Sequence, residues 1–215
     1  MTSHLVMLQT NSNQPFIFSS PRLREQIGAS FEITLLSRWV KEAAFDMKLP
    51  SMSTSEKGIK ALPATFWVSD SSGKVIVRFT EADGDPKDLA KRLIREVTLR
   101  ALTDAPGLDV TGVFVKASSS TVDADDLQEL DRVFLEYSLN RRPAAARFPQ
   151  FPFLERGSES ALPASASLRD LKFSQESLQP NSFDESSPLS LPSRVKRLFA
   201  SRSRKQQVDD VKERL

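Results

Sequence analysis

The sequence predicts an α+β fold, a four-stranded antiparallel sheet with helices packed on it, and three observations predict it. Short β-rich apolar runs and helical stripes alternate between His4 and Tyr137 in the order βαββαβ, with one further helix behind them. The two middle strands are joined by Asp70-Ser71-Ser72-Gly73, which is hairpin turn chemistry. Large apolar residues thin out after Phe153, so one folded domain with an appendage is expected.

The elements follow in order. Residues 4–9 (HLVMLQ) form an apolar run that ends at a polar patch, residues 10–14, as a buried strand does where it hands the chain to a loop. Ser20-Pro21 makes a turn. Leu35, Leu36, Trp39, Val40 and Ala43 then share one face at the 3–4 spacing of an amphipathic helix, which predicts a helix over residues 28–47. Residues 48–62, rich in Ser, Lys and Pro, read as a loop or loosely ordered insertion. Residues 65–69 and 74–80 are the hairpin strands, with Asp70 as a turn residue bonding its own backbone. Asp85-Pro86 opens a second helix, Leu89, Leu93, Ile94, Val97 and Ala101 mark its buried stripe, and Pro106-Gly107 closes it. Asp83 and Asp85 read as its caps. Residues 109–116 (DVTGVFVK) are a fourth strand, and Leu127, Leu130, Phe134 and Tyr137 mark a helix introduced by the acidic turn at 123–126. Two βαβ crossovers around a hairpin give the ferredoxin-like plan.

Beyond Arg142, residues 147–154 (RFPQFPFL) read as extended, because Pro149 and Pro152 oppose both helix and sheet interior. Residues 157–188 have the Ser, Pro and Asn content of a disordered linker. Residues 191–205 gather Arg194, Lys196, Arg197, Arg202, Arg204 and Lys205 without one acid, and place Leu191, Val195, Leu198 and Phe199 on one helical side. A short basic amphipathic helix is expected there. The predicted organisation is therefore a folded domain at 1–155, a linker at 156–190 and a basic helix at 191–215.

Composition closes much of the enzyme catalogue. The chain has 215 residues, of which 30 are basic and 28 acidic, for a formal charge of +2, so any nucleic acid or membrane surface must be met locally. There is no cysteine, which excludes disulfides and thiolate chemistry, and His4 is the one histidine, which excludes most His-based metal sites and makes a Ser-His-Asp triad improbable. No apolar run approaches the roughly 18 residues of a membrane span, and the N-terminus does not read as a signal peptide, so a cytoplasmic location is expected.

One segment carries more. Residues 14–20 (QPFIFSS), then Leu23-Arg24 and Gly28-Ala29-Ser30, follow directly on the first strand, and in position and order they resemble the first palm of the large subunit of type III CRISPR effector complexes. The likeness extends more loosely through the Ser72-Gly73 hairpin and residues 105–112, so it covers roughly residues 4–165. That family makes cyclic oligoadenylates in antiviral signalling. The resemblance implies a polymerase-palm version of the ferredoxin-like plan and a nucleotide-facing surface made by Gln14, Arg24, Gly28 and Ser30. Gly28 would let the backbone approach closely, Ser30 and the first helical turn would meet a phosphate, and Arg24 would add a second phosphate contact. The residues leave a plainer reading open: Gly28-Ala29-Ser30 as a small-residue helix start and cap, with Phe16 and Phe18 as core aromatics.

The chain departs from the active enzyme where metal would be held. In the cyclase palm, a carboxylate near the end of the first strand and a Gly-Gly-Asp-Asp hairpin hold two divalent metals. Here the first position carries Gln9 and the hairpin reads Ser69-Asp70-Ser71-Ser72-Gly73, with one acid. The nuclease module of many family members needs histidines this chain lacks. The resemblance therefore implies the non-catalytic palm, with no catalysis by this chain alone. ATP without a two-metal site is the one candidate ligand, and no cofactor is certain. A second palm domain or a second copy is the expected partner, alongside CRISPR effector subunits. A different class of reading is a non-enzymatic adaptor whose sheet and basic tail, through Arg194, Lys196, Arg197 and Arg202, hold RNA or a partner protein. The same tail fits a partner helix, a membrane surface or a solvated linker helix equally.

Overall fold

The computed structural model describes residues 2–54, 60–118, 121–141, 148, 151–166, 184 and 186–214. The chain divides into two compact units. Unit 1 holds Met1–Asn11, Thr34–Leu99 and Val110–Arg142, and unit 2 holds Ser12–Ile33, Arg100–Asp109 and Pro143–Leu215.

Unit 1 carries the sheet. Strand β1 (Ser3–Asn11) is apolar on both faces, the pattern of a strand with cover on either side, and it is almost wholly buried. After the two-residue strands β2 (Ser53–Thr54) and β3 (Lys60–Ala61) come β4 (Trp67–Ser71), β5 (Lys74–Thr80) and β6 (Asp109–Lys116). The large sheet runs β4-β5-β1-β6, with β1 antiparallel to β5 from Ser3 opposite Thr80 to Gln9 opposite Lys74. That order, with crossover helices after β1 and after β5, is the predicted ferredoxin-like α+β arrangement. Gly73 turns the β4–β5 hairpin with a φ of 79°, a backbone that disfavours other residues.

The two faces of this sheet are buried differently. Leu5, Met7, Ile76, Val113 and Val115 form one apolar cluster with Leu130 and Phe134 of α4 (Ala124–Leu139), so the helix that follows the βαββαβ unit closes the face such folds often leave open. Asp123 caps α4 by accepting from the Asp126 amide. On the other face lie Val6, Leu8, Val75, Val77 and Phe79, all fully buried. The helices that supply its cover are α2 (Leu23–Met47), through Leu36, Trp39, Val40 and Ala43, and α3 (Pro86–Asp104), through Leu93 and Val97.

Several expectations are corrected. Residues 13–17 form a short helix, α1 (Asn13–Ile17), entered through a left-handed Ser12, where a loop was predicted. Helix α2 starts at Leu23 rather than residue 28, because the chain becomes helical as soon as Pro21 is passed: the Arg22 carbonyl already accepts from the Glu25 and Gln26 amides. The 48–62 insertion holds the β2–β3 pairing, with residues 55–59 outside those described. Asp70 lies in β4 and accepts from Ser37 Oγ at 2.9 Å instead of bonding its own turn. Asp85 caps α3 through the Lys87 amide, whereas Asp83 closes a capping box with Thr80 on the 3-10 turn Glu81–Asp83. In the 147–154 run the described residues 151–154 make a turn closed by the Leu154 amide on the Phe151 carbonyl.

In unit 2, most of the predicted linker lies outside the described residues, but its flanks are tied into bridges, Arg156 with Pro163 and Ala164 with Ser190. The basic helix predicted at 191–215 is α5 (Leu191–Arg214), and it is not amphipathic in the expected sense. From Pro192 to Ala200 every side chain is buried, cations included.

Candidate functional site

The two sets of predicted site residues meet inside unit 2. Helix α2 opens with Glu25, Gly28, Ala29 and Glu32 on one face, at the i, i+3, i+4, i+7 spacing of a buried stripe, and all four are buried. Against that face runs α5. A Cβ on Gly28 would come within 2.6 Å of the Lys196 carbonyl carbon and closer still to its oxygen, so the two helices cross backbone to backbone at this glycine. Gly28 therefore admits a helix where the sequence suggested a phosphate. It sits one turn inside α2, where the amide hydrogens belong to the helical ladder and are not free for an anion.

The cations of α5 fill the space around the crossing. Lys196 Nζ donates to the Phe16 carbonyl at 2.6 Å and to Ser19 Oγ at 2.8 Å, and lies 4.0 Å from the Phe16 ring centre. Burial pushes its pKa down, opposed by the Glu32 and Glu25 carboxylates. Arg197 Nε donates to Glu25 Oε1 at 2.8 Å and Nη1 to Asp184 Oδ1 at 3.0 Å, with Glu159 3.7 Å from Nη2. Although burial pulls the other way, the hydrogen bonds to Glu25 and Asp184 and the two charges together hold the guanidinium pKa above its ordinary value. Arg194 donates to the backbone carbonyls of Ser165, Asp184 and Ser187. Arg24 completes the set, with Nη1 2.9 Å from Asp184 Oδ2 and Nη2 donating to the Arg197 carbonyl.

Glu32 stands apart in this network. Its side chain is fully buried, neither carboxylate oxygen has a hydrogen-bond partner among the described residues, and desolvation raises its pKa well above the ordinary value of 4.5, with Lys196 opposing. It is a buried acid beside a buried amine, Lys196.

The remaining predicted residues lie away from the crossing. Gln14 and Ser30 are exposed, and Arg202 is half-buried further along α5. Thus Gly28, Arg194, Lys196 and Arg197 are buried and Arg24 is half-buried, and the four cations are engaged by carboxylates and carbonyls of the chain itself. Sequence reading missed the acids, Glu25, Glu32, Asp184 and Glu159. The signal for two of them was present, since Glu25 and Glu32 fall on the same helical face as Gly28, opposite in charge to the basic run. No group of three or more His, Asp or Glu among the described residues is placed to hold a metal ion. No described helix is long and apolar enough to cross a membrane.

No protein-family model and no curated protein sequence matches the chain. The fold does match solved structures. A chain from the cryo-EM structure of type III-B Cmr-beta in the apo state superposes with a TM-score of 0.51 at 11% identity, over 96% of this chain and 32% of that one. A chain from type III-B Cmr-beta bound to cognate target RNA gives a TM-score of 0.49, at 11% identity, over 96% of this chain and 33% of its own length. At such identity the likeness is one of fold, and this chain spans about a third of the length of those it matches.

Proposed function

We propose that this chain is a non-catalytic palm-type module of a type III CRISPR effector, acting by pairing with a second palm or with neighbouring effector subunits in antiviral nucleotide signalling. The observation that carries the proposal is the superposition of nearly the whole chain on a type III-B Cmr-beta chain, unit 2 included. A ferredoxin-like sheet alone serves many unrelated tasks, so a match confined to unit 1 would weigh little. Gln9 in place of a carboxylate and a hairpin with the single acid Asp70 support the non-catalytic part of the reading. ATP enters as a ligand of the paired palms: Gln14 and Ser30 are the exposed members of the predicted set, whereas Arg24 and Gly28 are engaged by Asp184 and by α5.

The adaptor reading, in which the basic tail holds RNA, is weaker. Arg194, Lys196 and Arg197 already donate to carbonyls and carboxylates of the chain itself, and an RNA contact would have to break those bonds. The test is affinity purification of the tagged chain from its native host, with co-purifying proteins identified by mass spectrometry after nuclease treatment. Type III effector subunits in stoichiometric amounts are expected. Recovery of the chain alone, or with RNA as its only nuclease-sensitive companion, would overturn the proposal.

A further inference from the structure

Among the described residues, β4 and β6 are the terminal strands of the large sheet, and the β6 edge is built to take another strand. The Ala117 amide donates to the Ser3 carbonyl at 2.9 Å, which turns the backbone groups of the odd-numbered residues toward β1. By the alternation of an antiparallel pair, the amides and carbonyls of Gly112, Phe114 and Lys116 point outward. The same alternation sorts the side chains by face, with residues 111, 113 and 115 buried and 112, 114 and 116 half-buried or exposed.

This edge forms the floor of an apolar groove of about 400 Å³ between α3 and α4, lined by Ile94, Gly112, Phe114, Val133 and Tyr137. Gly112 is what lets α3 come so near, since a Cβ there would lie 2.7 Å from Ile94 and 2.9 Å from Leu8. The α3 rim carries Lys91 and Arg95, both exposed, one helical turn apart, and without an acidic partner among the described residues. Among the described residues no acid lines the groove.

We propose that the β6 edge binds an extended peptide strand of a partner protein, one that alternates apolar and acidic residues. Its backbone pairs with Gly112, Phe114 and Lys116, its apolar side chains lie between Val133 and Tyr137, and its carboxylates meet Lys91 and Arg95. A second copy of this chain is a poor occupant, because two β6 edges brought together antiparallel would set two cationic rims against each other. The surface belongs to unit 1 and holds whether or not the chain works within an effector.

The test uses the full chain with a fluorescein-labelled heptapeptide of alternating valine and glutamate and its valine-lysine counterpart. The glutamate peptide is expected to bind at least about tenfold more tightly and to slow exchange of the Gly112, Phe114 and Lys116 amides. The double substitution Lys91→Glu and Arg95→Glu, at two exposed positions, is expected to reverse that preference. Equal binding of the two peptides, absence of binding, or protection of other amides would overturn the proposal. So would protection of these three amides by an oligouridylate that outcompetes the peptide, which would make the groove a nucleic-acid site.

Discussion

Glu32 is where the electrostatics of the fold are least relaxed. Its carboxyl has no hydrogen-bond partner among the described residues and its pKa is raised by burial. A raised folded-state value means that the folded chain holds a proton the unfolded chain has released. The stability it contributes is complete below about pH 4.5, where both states are protonated, and is lost as pH rises through the folded value. Chemical denaturation of the chain between pH 4 and 8 is expected to show this fall, and Glu32→Gln to remove it, since the amide does not titrate. A slope that survives in the variant would place the titration elsewhere. The burial of Glu32 was hard to read from sequence, because acids on helices are ordinarily solvated. Only the proximity of Gly28 and Glu25 on the same face marks it.

At the scale of elements, the pairing of α2 with α5 decides what the 14–30 segment does. Gly28→Ala separates two readings by sign. In a helix open to solvent the change would stabilise by about 0.8–1.0 kcal/mol through propensity. At a backbone crossing, a Cβ pressed on the Lys196 carbonyl costs about 1–3 kcal/mol through overpacking. Urea denaturation is expected to show the loss.

The strands and the α3 and α4 helices were legible because their signals are local: period-two and 3.6-period stripes, Asp-Pro at the α3 start, an Asp cap on α4. The start of α2 was not, because its first turns bury acids and small residues, which breaks the apolar stripe that reveals a helix. The burial of α5 was illegible for the same reason in reverse. A run of Arg and Lys reads as solvated unless the carboxylates that meet it are known, and Glu25, Asp184 and Glu159 come from three distant parts of the chain. Long-range charge pairing has no period in sequence.

For the molecule as a whole, the formal charge of +2 conceals how its cations are used. In the basic run that looked most like an RNA-binding patch, Arg194, Lys196 and Arg197 are buried and engaged within unit 2, while Lys91 and Arg95 of unit 1 stand exposed at the edge of a sheet. The order of elements placed the chain in the ferredoxin-like class. The match to a type III-B Cmr-beta chain, at 11% identity, is a likeness of fold. The individual site residues fared otherwise: five of the eight predicted positions, Arg24, Gly28, Arg194, Lys196 and Arg197, form one internal clamp. The central claim is that α5 is a packed element of unit 2, crossing α2 at Gly28, with Arg197 held by Glu25 and with Arg194 and Lys196 donating to backbone carbonyls. Native-state hydrogen exchange of the full chain tests it most directly. Amides of residues 194–200 are predicted to be as protected as those of residues 25–33, whereas exchange at the rate of an isolated, solvated helix would contradict it.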